Sequence, residues 1–272
     1  DVPPFDDPTK AVEAGLHYIL NAGDAWLGQV PREGNRFVRS TNLHETSLRC
    51  TGCHATSFPA EAALAARRAG YPIHAKDALL NMIERIADGP APLYGDAGLN
   101  WHRYIATPLE VNGAQGAVLV DFDREIADVP TSTLDRFGPF LKAAWGGRDA
   151  MPEDERNVVP AESKFGLAWK GWCVLSELAR RTGREDDARA AADVASLATG
   201  RAADRRVESL QDRIHRLVAW SLIDREANAN KIRRETGALM ALQNPDGGWH
   251  ESDAQPGPSA VYATGQLVDA LL

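Results

Sequence analysis

The most informative pattern in this chain is Thr236-Gly-Ala-Leu-Met-Ala-Leu-Gln-Asn-Pro-Asp-Gly-Gly-Trp249. Apolar residues at helical spacing lead to Gln243, whose amide can bond to the backbone of the next turn. Asp246-Gly247-Gly248 favours a tight turn with a positive φ angle. Trp249 can then fold back and cover the last turn of the preceding helix. The stretch therefore predicts an apolar helix, a tight turn, and a tryptophan that fastens one helix to the next.

A second stretch, near the start of the chain, has a similar form. Ala11-Val-Glu-Ala-Gly-Leu-His-Tyr-Ile-Leu20 leads to Gly23-Asp-Ala-Trp26. Asp7-Pro8 is typical of a helix start, because the carboxylate can accept an orphan amide and proline needs no donor there. We therefore expect a helix that ends at Leu20, followed by a Gly/Asp turn closed by Trp26.

Helical spacing of apolar residues also runs through most of the chain between these two stretches. Residues 90–112 are rich in Pro, Gly and Asn and are expected to form mostly loop. No sustained alternation of apolar and polar residues favours a sheet, so the sequence predicts an all-α protein. The further predicted helices span about 59–69, 74–88, 114–127, 131–145, 162–182, 184–199, 204–226, 229–243 and 258–272.

The C-terminal stretch resembles a known group of repeats. Gln243-Asn-Pro-Asp-Gly-Gly-Trp249 is similar to the QW-type repeat of squalene-hopene cyclases and protein prenyltransferase β subunits. Pro258-Ser-Ala-Val-Tyr-Ala-Thr-Gly-Gln266 resembles the repeat ends of bacterial exported proteins that combine such repeats with a C-x-x-C-H motif. The resemblance covers 229–272 clearly and 8–26 weakly. It implies an α/α-toroid-like repeat forming a single domain over 1–272, in which a complete ring is expected to need residues beyond Leu272.

The sequence lacks the catalytic residues of those enzymes. Terpene cyclases protonate their substrate with an aspartate-rich motif, whereas Asp186-Asp187 here falls in a charged turn that we expect to be exposed. We also find no Asp, Cys and His set that matches the zinc ligands of prenyltransferases. The resemblance in fold therefore brings neither activity to this chain, and the sequence leaves open whether the protein is an enzyme.

Cys50-Thr51-Gly52-Cys53-His54 is a C-x-x-C-H motif, the pattern typical of covalent haem c attachment. Two thiols at this spacing on one turn can reach the two vinyl groups of haem, and the next residue can direct its imidazole at the iron. The sequence thus predicts one covalent haem c, bound through Cys50 and Cys53, with His54 as an axial ligand. The attachment segment spans 41–70, and the loop-rich insertion spans about 90–112.

Other roles for these cysteines fit less well. A structural zinc site needs four ligands, usually as two separated pairs, and Cys173 is the one other thiol in the chain. A redox-active C-x-x-C pair is typical of a strand–helix setting, which a helical chain lacks. Cys173 lies in a stretch rich in large apolar residues, where we expect a buried, inert thiol.

The second axial ligand decides which functions the iron can serve. His102, His44 and Met151 are the main candidates, because each lies in a polar or Gly/Pro-rich segment that could arch over a haem. Met82, His17, His74, His215 and His250 are further candidates. Of these, His17 and His215 fall on helices patterned for packing, and His250 is expected to help close a turn. Trp169 and Trp172 are expected in the core, and the charge cluster Asp121-Phe-Asp-Arg-Glu125 on a solvated helix face.

These features favour an electron-transfer cytochrome that serves a redox partner. A haem enzyme or ligand sensor with an open iron site, and a non-catalytic scaffold subunit of a larger assembly, remain alternatives. The net charge of −8 argues against a nucleic-acid partner, which needs a basic face. No apolar run approaches the about 20 residues of a membrane helix. Haem c attachment and a start at Asp1 without Met lead us to expect an exported protein, periplasmic or at the cell surface.

Overall fold

The structure is a computed structural model that describes residues 7–28, 53–88, 108–145, 163–200, 209–250 and 258–271. Throughout these ranges the regular structure is helical, and none of it is strand. The predicted all-α class is therefore confirmed, while the toroidal arrangement of the helices stays a prediction. In chain order the helices are α1 Pro8–Gly28, α2 Cys53–Arg68, α3 Lys76–Ala87, α4 Pro108–Glu125, α5 Thr131–Asp135, α6 Gly138–Trp145, α7 Lys164–Thr182, α8 Glu185–Thr199, α9 Leu210–Ile223, α10 Arg225–Met240 and α11 Val261–Leu271.

The contacts divide the chain into two compact units. Unit 1 comprises Asp1–Trp101 and Ala114–Pro139, and unit 2 comprises His102–Gly113 and Phe140–Leu272. The division passes through α4 and α6, so each of these two helices contributes residues to both units. The single domain over 1–272 stays a prediction.

In unit 1, helices α1, α2 and α3 pack against one another in pairs. Leu20, Leu64 and Met82, one from each helix, are fully buried. Polar contacts add to this packing: Asn81 Nδ2 donates to Asp24 Oδ1 at 3.0 Å between α3 and α1. Removing such apolar side chains from water is the main term that stabilises a helical unit of this kind.

Unit 2 is organised around α9, which packs against α7, α8, α10 and α11. The helix starts at a serine cap, because Ser209 Oγ accepts the amide of Asp212 at 3.1 Å. Its apolar face forms a core with α10 and α11. The buried members of that core are Leu210, Ile214, Leu217, Leu239, Trp249, Ala263 and Leu267.

The turn after α10 has the structure that its sequence predicts. Gln243 Nε2 donates to the Gly247 carbonyl at 2.7 Å, and Gly247 has a φ of 86°. The indole of Trp249 is 3% exposed, and its Nε1 donates to the Leu239 carbonyl at 2.8 Å. The tryptophan therefore covers the last turn of α10, as the sequence analysis predicts.

The predicted turn near the start of the chain is wrong. Helix α1 does not end at Leu20 but continues to Gly28, so Gly23 and Trp26 lie within it. A single glycine costs a helix about 1 kcal/mol relative to alanine and does not by itself end it. Residues 21–28 also contain no proline that could stop the helix.

Several predicted boundaries also shift. Helix α4 begins at Pro108, so the predicted loop over 90–112 is wrong for its last five residues. The predicted helix 131–145 is two helices, since Pro139 lacks the amide that a continuous helix would bond to the carbonyl of Asp135. Between α9 and α10 the break lies at Asp224, whose carboxylate accepts the amide of Ala227 at 3.0 Å. This cap lies inside the predicted helix 204–226.

Candidate functional site

The C-x-x-C-H motif overlaps the start of α2. Cys53 and His54 are the first two residues of this helix. Cys50 and the side chains of Cys53 and His54 lie outside the described residues. The helix starts six residues earlier than the sequence predicts, with Pro59 inside it. The second cysteine and the histidine therefore share the backbone of one helical turn.

The buried face of α2 follows directly from this turn. Ser57, Ala60 and Leu64 recur at helical spacing and are 1%, 0% and 0% exposed. The backbone of Cys53 lies four residues before Ser57 in the same helix.

Ser57 has an unusual hydroxyl for a buried residue. Its Oγ is inaccessible to solvent and makes no hydrogen bond to the described part of the chain. Other hydroxyls on the helices bond back to their own backbone: Ser176 Oγ donates to the Cys173 carbonyl at 3.1 Å, and Thr199 Oγ1 to the Ala195 carbonyl at 2.8 Å. Buried polar groups normally have a partner, so this hydroxyl calls for one.

The main candidates for the second axial ligand, His102, His44 and Met151, lie outside the described residues. Two further candidates in unit 1 have other surroundings. His74 Nε2 lies 3.6 Å from Glu13 Oε2, and Met82 is a fully buried part of the unit 1 core. His17 is exposed on α1, so the packed helical histidine predicted at this position is wrong.

In unit 2, the buried ring of His215 lies in a polar cluster whose members come from three helices and are otherwise half-buried. The indole Nε1 of Trp169 on α7 donates to His215 Nδ1 at 3.3 Å. On the other side of the ring, Gln266 on α11 places a side-chain nitrogen 3.5 Å from His215 Nε2. A β-carbon built on Gly166 would lie 3.3 Å from the ring, so the glycine allows α7 to approach it. His215 is 8% exposed, and its hydrogen bond confirms the predicted packed helical histidine.

The prediction that Asp186 and Asp187 are both exposed is correct for the first residue and wrong for the second. Asp186 is exposed, but Asp187 is 0% exposed in the first turn of α8. Lys142 Nζ lies 2.6 Å from Asp186 Oδ2 and 2.8 Å from Asp187 Oδ1. Hydrogen bonds to these two carboxylates raise the pKa of Lys142, and the Lys142 bond lowers the pKa of Asp186. The pair is therefore part of an ion-pair cluster that joins α6 to α8.

The charge cluster at 121–125 also has a structural role. Asp121 pairs with Arg68 at 3.2 Å, and Arg67 Nε donates to the Glu125 carbonyl at 2.8 Å. Asp123 Oδ1 accepts the amide of Val129 at 2.7 Å. These contacts join α2 to α4 and close the turn after α4.

Cys173 is buried in α7, at 6% exposed, as its apolar surroundings predict.

In the residues described, no three His, Cys, Asp or Glu side chains lie close enough together to hold a metal ion. None of the helices described there is both long enough and apolar enough to cross a membrane.

Ser57 is a residue that the sequence patterns above do not single out. The signal available was its spacing, three residues after the histidine of the motif and on the apolar side of the following helix.

Comparisons with protein families, curated proteins and solved structures found no match to this chain.

Proposed function

We propose that this protein is a monohaem c-type cytochrome on a helical-repeat scaffold of the toroid type, exported from the cytoplasm and exchanging electrons with a redox partner. The observation that carries the proposal is the C-x-x-C-H motif, with Cys53 and His54 as the first residues of α2. A helical turn is the local structure in which cysteine and histidine at this spacing can serve one haem.

The residues present fit a covalent haem. Cys50 and Cys53 supply two thiols for the thioether bonds, and His54 supplies the axial imidazole. The buried hydroxyl of Ser57, one turn further along α2, is a polar group with no partner among the described residues. When bound, haem supplies a one-electron couple, and covalent attachment keeps that redox centre in the protein.

The first experiment tests attachment. We expect the protein, produced with a haem c maturation system in a bacterial periplasm, to have the mass of the chain plus one haem. Denaturation should leave the haem on the chain, and the alkaline pyridine spectrum should be that of a haem with two thioether bonds. Cys50→Ala and Cys53→Ala should each lose one thioether bond, and the double variant should lose covalent haem completely.

Cys173→Ala is the matched control, because this third cysteine is buried in α7. It should keep the haem and its pyridine spectrum. A wild-type protein with no added haem mass, or one in which Cys173→Ala removes the haem as the double variant does, would refute the proposal.

A second experiment separates electron transfer from ligand binding at an open iron. Electron transfer predicts a low-spin spectrum in both redox states and no carbon monoxide complex without loss of an axial ligand. We then expect one of His102→Ala, His44→Ala and Met151→Ala to convert the haem to a high-spin form that binds carbon monoxide. A wild-type protein that is already high-spin would instead favour a haem enzyme or sensor.

A further inference from the structure

We propose that Ser57 is a positioning residue for the haem, whose hydroxyl accepts a hydrogen bond from the ring N–H that His54 does not use for iron. The inference rests on the proposed function, since it concerns the state with haem attached. It gives the hydroxyl the partner that the described part of the chain does not provide.

The spacing and direction of the side chain support this partner. Ser57 lies three residues after His54 in α2, and residues at this separation are neighbours on a helix surface. Side chains on a helix lean toward its N-terminus, so a residue covers the turn before its own α-carbon. For Ser57, that turn begins with Cys53 and His54.

The surroundings of Ser57 leave the hydroxyl few other choices. It is 1% exposed, and the next positions on the same face are the fully buried Ala60 and Leu64. Serines in helices often donate to a carbonyl three or four residues back, as Ser176 does. Ser57 Oγ makes no such bond, and its lone pairs can accept a hydrogen bond.

The chemistry of a ligated imidazole calls for such an acceptor. A histidine that binds metal through one ring nitrogen almost always donates its other N–H, which fixes the ring orientation and makes the ligand more basic. A more basic ligand stabilises the ferric over the ferrous haem. The Ser57 hydroxyl therefore lowers the midpoint potential of the haem and slows exchange of the ring proton.

The test compares Ser57→Ala, Ser57→Thr and the control Ser176→Ala in haem-loaded protein. We expect Ser57→Ala to raise the midpoint potential in a redox titration. In ferrous protein with ¹⁵N-labelled histidine, its axial ring N–H resonance should move upfield and exchange faster with water. Ser57→Thr, which keeps a hydroxyl, should stay close to wild type in both measurements. Ser176→Ala removes a helical hydroxyl that bonds within α7, and it should change neither.

The inference is overturned if Ser57→Ala retains both the wild-type potential and the wild-type ring proton. It is also overturned if the potential shifts while the ring proton does not, because the hydroxyl then serves another part of the haem. If Ser57→Ala fails to load haem, the same measurements on Ser57→Thr decide: wild-type values support the hydroxyl, and shifted values contradict it. Absence of covalent haem from the wild-type protein would instead refute the proposed function, so the two failures are distinct.

Discussion

Two stretches of this chain have similar sequence patterns but different structures. Residues 236–249 form a helix, a tight turn and a tryptophan that folds back, whereas residues 11–26 remain within the single helix α1. Both have an apolar helical pattern followed by Asp, Gly and Trp. What differs is the segment between the helix and the tryptophan: Asn244-Pro-Asp-Gly-Gly248 in one, and Asn21-Ala-Gly-Asp-Ala25 in the other.

The difference shows that a turn of this type needs several residues acting together. Pro245 cannot continue a helix, because it lacks an amide donor and its ring clashes with the preceding turn. Gly247 adopts a φ of 86°, which few other residues accept. Asp246 Oδ1 accepts the amide of Gly248 at 3.1 Å. In the first stretch, Asp24 instead accepts from Asn81 on another helix.

The largest effect should come from the tryptophan that completes the turn. Trp249→Ala is expected to destabilise unit 2 by about 3–5 kcal/mol, because it empties a buried site and removes the bond to the Leu239 carbonyl. Urea unfolding followed by circular dichroism measures this loss. Tyr18→Ala is the control from the other stretch, since Tyr18 is 73% exposed, and should change stability by less than about 0.5 kcal/mol. Equal losses of stability in the two variants would contradict the conclusion that Trp249 fastens the turn after α10.

The second effect tests the close approach at Gly248. A β-carbon there would lie 2.5 Å from Ser259 Cβ and 2.9 Å from Thr264 Oγ1. Gly248→Ala should therefore cost about 1–3 kcal/mol, the usual range for overpacking. In a double-mutant cycle, Ser259→Gly should recover part of this loss, because it removes the nearer atoms. Strict additivity of the two changes would show that the cost has another origin.

The third effect isolates backbone conformation. Gly247 and Gly237 both have open space where a β-carbon would be, but Gly247 has a positive φ and Gly237 lies inside α10. Gly247→Ala is expected to lower the unfolding free energy by about 1 kcal/mol, while Gly237→Ala raises it by about 0.5–1 kcal/mol. Thermal and urea unfolding should show these opposite signs. Two changes of the same sign would rule out φ as the cause.

Patterns that depend on local chemistry predicted the fold best. The turn at 243–249 follows from residues close together in the chain, and so do the helical class and the start of α1 near Asp7-Pro8. The end of α1 could not be predicted in this way, because it depends on whether enough stop signals act together. Likewise, Asp224 caps α10 from within an apolar helical pattern, where its side chain is easily taken for part of one long helix.

In the candidate site, too, local sequence patterns predict some features but not those that depend on the folded chain. The motif at 50–54 is visible in the sequence because haem attachment requires fixed residue types at fixed spacing. The significance of Ser57 depends on its burial and on the lack of a hydrogen bond to any described residue, and both are properties of the folded chain. The burial of Asp187 also escaped prediction, because its partner Lys142 lies 45 residues earlier in the chain.

The smallest effect concerns the charge at the turn. The Ser259 hydroxyl and the Gly248 amide both donate to Asp246, and they lower the pKa of its carboxyl from the ordinary 3.8. A carboxyl with a lowered pKa in the folded state adds stability above its unfolded pKa, and that stability is lost as the pH falls through the folded value. Asp246→Asn should therefore be less stable than wild type at neutral pH, with a difference that narrows as the pH falls below 3.8. Urea unfolding at a series of pH values measures this difference. A loss in Asp246→Asn that stays constant down to pH values well below 3.8 would show that the loss does not come from the carboxylate charge, and equal stability of the two proteins at neutral pH would show that a neutral asparagine serves the turn as well.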